Sequence, residues 1–146
     1  MSLEPLAPTW NCWVLDVPNM ELAKWITLWW NSTFHILHLL QKRTDVRGSV
    51  VKWRKDDFLD APIPDFSKLS ESERRQLSTA FVRLSKKDFP PFAKQFHGDC
   101  ELRMELDTII GLALGAKKEI LQKQLKVAYE AIATELDNMV TAMSRD

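Results

Sequence analysis

From Lys117 to Met143, the residues Leu121, Leu125, Ala128, Ile132, Leu136, Met139 and Met143 recur every three or four positions. On a helix of about 3.6 residues per turn that spacing makes one continuous apolar stripe. A chain that carries such a stripe must pack it along other elements or lay it on a partner. The stripe therefore predicts a long amphipathic last helix and a fold dominated by helix packing.

Earlier segments offer faces for that packing. Asn19, a residue suited to an N-cap, precedes Leu22, Trp25, Ile26, Trp29 and Trp30 at helical spacing. That helix is expected to stop near Asn31-Ser32, where Asn tolerates a left-handed exit and its amide bonds freed backbone groups. From Thr33 to Leu40 the periodicity fits a strand or a second helix. Ser70 and Glu73 form a capping box ahead of Leu77, Phe81 and Leu84. A further helix is expected from Glu101 to Leu114, with Leu102, Leu106, Ile109, Ile110 and Ala113 inward and Gly115 as its C-cap. Strands are expected from Asn11 to Val17, closed by Pro18, and from Ser49 to Trp53, after a turn at Thr44–Gly48. Pro62 and Pro64 forbid a helix across them. The expected class is α+β and helix-dominated: a small sheet of a few short strands with four to five helices, the last one long and amphipathic.

The 146 residues make one domain's worth of chain. The start, Met-Ser-Leu-Glu-Pro, has no basic n-region, and residues 1–8 read as a cloning-derived leader. Residues 9–115 read as the domain, and residues 116–146 as the long helix packing on it or on a partner. Cys12 and Cys100 are far apart and read as reduced thiols of a cytoplasmic protein. No apolar run reaches the ~20 residues of a membrane span.

Catalytic constellations do not assemble in the sequence. Gly48, Gly98, Gly111 and Gly115 are scattered, so no Gly-rich phosphate loop exists. His35 and His38 share a helical face, but no Glu accompanies them and His97 is distant, so packed histidines are the better reading than metal ligands. His97 and Cys100 are near in sequence only. Asp56, Asp57, Asp60 and Asp65 lie among prolines and read as a solvated loop rather than an acid–base pair.

One charge feature stands out. Lys plus Arg and Asp plus Glu are both 20, so the net charge is zero and any electrostatic argument must be local. Lys42, Arg43, Arg47, Lys52, Arg54 and Lys55 are opposed only by Asp45 and interleaved with Trp53. Such a stretch suits contact with phosphates. Charge alone favours a solvated hairpin.

The order Trp30-Asn31-Ser32, a Leu-rich Phe34–Leu40, Gly48, Val51–Asp56 and Pro62-Ile63-Pro64-Asp65 resembles the C-terminal region of adenine-specific DNA methyltransferases of the restriction–modification type. Target-recognition domains of type I specificity subunits have a similar layout. Arg103, Leu106, Asp107, Leu114 and Gly115 are similar to the methyltransferase tail, so the resemblance runs from about Trp10 to Gly115. The family's Gly-rich S-adenosylmethionine loop and its Asn/Asp-Pro-Pro-Tyr/Phe motif do not occur. Phe89-Pro90-Pro91-Phe92 lacks the preceding amide or acid, with Asp88 one residue too early.

The resemblance implies a non-catalytic DNA-recognition or scaffold portion of such an enzyme, with Arg43, Arg47, Lys52, Arg54 and Lys55 against DNA. It makes Asn31, Ser32, Pro62, Pro64, Asp65, Arg103 and Asp107 structural. S-adenosylmethionine is expected only in the parent enzyme's catalytic domain, and neither a metal nor a catalytic residue in this chain. Expected partners are DNA, the catalytic domain or other restriction–modification subunits, and no membrane. The alternative is a helical subunit-assembly module without DNA contact, self-associating through the last helix.

Overall fold

The computed structural model describes residues 15–42, 56 and 60–143. Their apolar stripes pair off as five α-helices: α1 (Met20–Trp30), α2 (Thr33–Lys42), α3 (Glu71–Leu84), α4 (Glu101–Ala113) and α5 (Lys118–Met143). Two 3-10 turns, Phe66–Lys68 and Phe92–Gln95, lie in the connections.

Local chemistry sets the helix ends. The Asn19 Oδ1 accepts from the Leu22 amide at 2.9 Å and starts α1. At α3 the Ser70 Oγ accepts from the Glu73 amide at 3.3 Å, while Glu73 Oε2 accepts from the Ser70 amide at 2.7 Å. Both reciprocal bonds of the capping box are therefore made. At the end of α4, Gly115 takes φ +86°. Its amide donates to Leu112 O, and the Ala116 amide reaches back to Gly111 O, both at 2.9 Å. This pair of bonds is the Schellman ending that favours glycine.

Helix α4 is central. It packs on α1 and α3, and on α5. The first core joins Ile26, Leu28 and Trp29 of α1 to Phe66, to Leu77, Ala80 and Leu84 of α3, and to Leu106 and Ile110 of α4. The second joins Ile36 of α2 to Phe96 and to Leu121, Leu125, Tyr129, Ile132 and Ala133 of α5. Gly111 lets α5 come close: a Cβ there would lie 2.6 Å from Leu121 Cδ2.

Three expectations need correction. The α+β class gives way to an all-helical arrangement, because no strand or sheet occurs among the described residues. Residues 15–17 of the expected first strand form no ladder. Of their apolar side chains, Val17 packs on the first helical core and Leu15 is exposed. Residues 11–14 and the expected strand Ser49–Trp53 lie outside the described residues. The exit from α1 is also not left-handed, since Asn31 takes φ −89° and ψ −2°. Its side-chain amide donates to Thr27 O at 2.8 Å. Finally, the stripe of α5 includes Tyr129 and Ala133, both buried, while Ala128 is only half-buried.

Thr33–Leu40, compatible with either state, is helical within α2, where His35, Ile36 and Leu39 are buried. No helix among the described residues is long and apolar enough to cross a membrane.

Candidate functional site

The most unusual feature of the bundle is polar and buried. Asp107, fully buried in α4, faces the start of α2. Its Oδ1 accepts from the Thr33 amide at 2.7 Å and its Oδ2 accepts from the Thr33 hydroxyl at 2.6 Å. The first amides of a helix have no partner within it, and their end carries partial positive charge. Asp107 thus caps α2 from another helix, 74 residues away in sequence. Tyr129 of α5 donates its hydroxyl to the same Oδ2 at 2.7 Å.

Arg103 lies one turn before Asp107 on α4, with Nη1 4.0 Å from Asp107 Oδ1. Its guanidinium donates to Asn31 O and to Gln95 Oε1, and stands 5.1 Å from the centre of the Phe96 ring. Gln95 in turn donates to Pro90 O at 2.7 Å. Burial raises the Asp107 carboxyl, with Arg103, Thr33 and Tyr129 pulling the other way. Burial likewise lowers Arg103, and Asp107 opposes that shift. Tyr129 is pushed up, first by burial and then by the Asp107 charge, so its hydroxyl stays a proton donor. Both guanidinium Nη groups, the Thr33 amide and hydroxyl, the Gln95 amide and the Tyr129 hydroxyl are engaged within the bundle, and Arg103 Nε is buried without a hydrogen-bond partner among the described residues. The network orders α1, α2, α4 and α5 rather than activating a nucleophile.

Beside it lies a cavity of about 400 Å³, lined by Ile36, Leu39, Leu106, Leu136 and Met139, with Arg103 in its wall. Histidines form a second cluster. His35 and His38 stack with ring centres 6.5 Å apart, and Trp30 stacks on His35 at 6.1 Å. Burial, with His38 adding repulsion, lowers His35 to about 4. His35 is therefore neutral near pH 7. No group of three metal-ligating side chains occurs among the described residues. His97 does not pair with Cys100: its Nε2 lies 3.2 Å from Asp137 Oδ1, in an exposed contact.

The proposed DNA-facing residues Arg43, Arg47, Lys52, Arg54 and Lys55 lie outside the described residues. The segments on either side of them are tied into the bundle. Before them, α2 ends at Lys42. After them, the Trp29 Nε1 donates to Pro62 O at 2.9 Å. Asp65 accepts from the Ser67 amide at 3.1 Å and starts the turn that buries Phe66, whose ring lies 5.8 Å from Trp25. Pro64 is half-buried just ahead of that turn. Ser32 is fully buried and donates to Trp29 O at 2.6 Å. Sequence reasoning missed Thr33, Gln95 and Tyr129. The one signal for Tyr129 was its place beside the apolar stripe of α5, as the chain's single tyrosine.

No protein-family model, curated protein or solved structure matches the chain.

Proposed function

We propose that this chain is the non-catalytic DNA-recognition or scaffold portion of an adenine-specific DNA methyltransferase of a restriction–modification system. Its work is binding. A helical bundle carries the basic stretch Arg43–Lys55, and methyl transfer belongs to a separate catalytic domain that holds S-adenosylmethionine.

The observation that carries this reading is the anchoring on both sides of the basic stretch. The helix that precedes it, α2, is capped by buried Asp107 at 2.7 Å. The segment on its far side is tied at Pro62 to Trp29 at 2.9 Å. A bundle that commits a buried carboxylate to fixing one short helix is suited to presenting the chain beyond that helix. Phosphate contact by the basic side chains gives salt-sensitive affinity.

The test is fluorescence anisotropy of the purified chain with a labelled duplex at rising salt. Binding that weakens steeply with salt, and further in Arg47→Ala and Arg54→Ala, supports the reading. Absence of binding at low salt rejects it.

A second reading rests on α5. Ile120 and Val127, seven residues apart, are 55% and 62% exposed. An apolar pair at that spacing suits a helical subunit-assembly module. Light scattering over a range of concentrations separates the two, because assembly through this face makes the mass rise with concentration.

A further inference from the structure

A second basic surface lies on the bundle, far in sequence from Arg43–Lys55. Positions 75, 78, 79, 82, 83 and 86 follow the three-to-four spacing of one helical face. They are Arg75, Ser78, Thr79, Val82, Arg83 and Lys86, running along α3 and just past its end. With Lys24 of α1 and Lys87 they line a shallow open groove. Every charged side chain lining it is basic.

Carboxylates touch this groove only from its edges. Glu21 pairs with Lys24 at 2.5 Å and also accepts from the Ser78 hydroxyl. Glu71 pairs with Arg75 at 2.9 Å, and Glu105 with Arg83. Lys86 and Lys87 have no ion-pair partner among the described residues. Arg75 and Arg83 remain mostly exposed, at 77% and 56% of their side-chain surface. The Arg75–Glu71 pair is exposed on both sides, and such pairs are weak, so a phosphate can take Arg75 over, whereas Lys24 at 22% and Glu105 at 33% exposure sit in partly buried pairs.

We infer that the α1–α3 groove is a second nucleic-acid contact, taking the phosphate backbone of a DNA duplex without reading its sequence. Arg75 to Arg83 covers about 12 Å of helix axis, enough to reach more than one phosphate of a strand. Thr79, exposed on the same face, adds a hydroxyl that suits a phosphate oxygen. The lining holds no aromatic ring. It therefore offers no platform for unstacked bases, which favours a duplex over a single strand. The groove is joined to the anchor of the basic stretch by direct contacts. Trp25 donates to Ser78 Oγ at 2.9 Å and its ring meets Phe66, in the segment that leads on from Pro62. The inference rests on the reading of the chain as a DNA-binding portion, and it adds a surface to that reading.

The test compares four proteins by anisotropy against one labelled duplex at rising salt. These are the unaltered chain, a groove variant (Arg75→Gln, Lys86→Gln, Lys87→Gln), a segment variant (Arg43→Gln, Arg47→Gln, Arg54→Gln), and both together. Circular dichroism verifies that each keeps its helices. The groove variant is expected to flatten the salt dependence of log K by about 0.9 for each phosphate that the groove no longer engages. The flattening should be equal on a duplex of scrambled sequence. Duplex binding by the unaltered chain with an unchanged slope in the groove variant overturns the groove and leaves the segment reading standing. A flattened slope in the groove variant, with none in the segment variant, keeps the groove and removes the segment. No binding by the unaltered chain at low salt overturns both.

Discussion

Tyr129 on α5 donates its hydroxyl to Asp107 on α4 at 2.7 Å, in the buried seam between the two helices. The same carboxylate holds the first turn of α2 through Thr33. One acidic side chain thus fixes the relative placement of three helices. Buried polar groups are costly unless satisfied, so this arrangement specifies one packing more sharply than apolar contact alone.

Removing a member of this network should be strongly destabilising. Tyr129→Phe is expected to cost about 1–3 kcal/mol, the usual penalty for stripping one partner from a buried polar group. Asp107→Ala is expected to cost about 3–5 kcal/mol, because it leaves Arg103 without its counter-charge and α2 without its cap. Urea unfolding monitored by circular dichroism measures both. Equal and small losses for the two variants would mean that the seam is held by apolar packing instead.

His35 supplies a pH prediction. Its folded-state value is lowered to about 4 from an ordinary 6.5. Above pH 6.5 the ring is neutral folded or unfolded, and contributes nothing to pH dependence. Below 6.5 the unfolded chain takes up a proton that the folded chain refuses until about pH 4. Stability should therefore fall as pH drops through that window, by on the order of 3 kcal/mol at its lower end. His35→Phe removes the titration. Its unfolding free energy should be flatter between about pH 7 and 4 than that of the unaltered chain, and parallel curves would reject the assignment.

The helix ends are a separate test of local chemistry. Ser70→Ala should cost about 1 kcal/mol by opening the capping box of α3. Gly115→Ala should cost about 1–2 kcal/mol, because φ +86° is unfavourable for a residue with a Cβ. No neighbour lies within 4 Å of a Cβ built at Gly115, so the cost is one of backbone conformation, not crowding. Thermal unfolding of the two variants reads both values.

Signals that depend on near neighbours in sequence were legible. Asn19, Ser70 with Glu73, and Gly115 each mark the helix end expected of them, and Leu77, Leu84, Leu106, Ile110, Leu121, Leu125 and Ile132 are all buried. Signals that depend on distant partners were not. Nothing near Thr33 in sequence says that its amide meets Asp107, because the fold alone joins them. The same holds for Val17, whose apolar side chain suits a strand as well as a helical core. The sequence around Asn31 suggests a left-handed exit that the chain does not make, and nothing near it in sequence says that its carbonyl receives Arg103. The proposed DNA-facing residues themselves are picked by charge and resemblance, and the packing of the bundle adds only the anchoring on either side of them.

Trp29 joins the fold to the proposed function. Trp29 is buried, stacks on Phe34 with ring centres 6.2 Å apart, and donates to Pro62 O at 2.9 Å. Trp29→Phe keeps an aromatic ring in the core but cannot make that bond. Its expected stability loss is about 1–3 kcal/mol. Ser70→Ala destabilises the same bundle by a similar amount without touching Pro62, so it serves as a control. If the Pro62 anchor positions the basic stretch, Trp29→Phe should weaken duplex binding well beyond Ser70→Ala under conditions where both remain folded. Equal affinities would separate the anchor from DNA contact and leave Trp29 a purely structural residue of the α1 core.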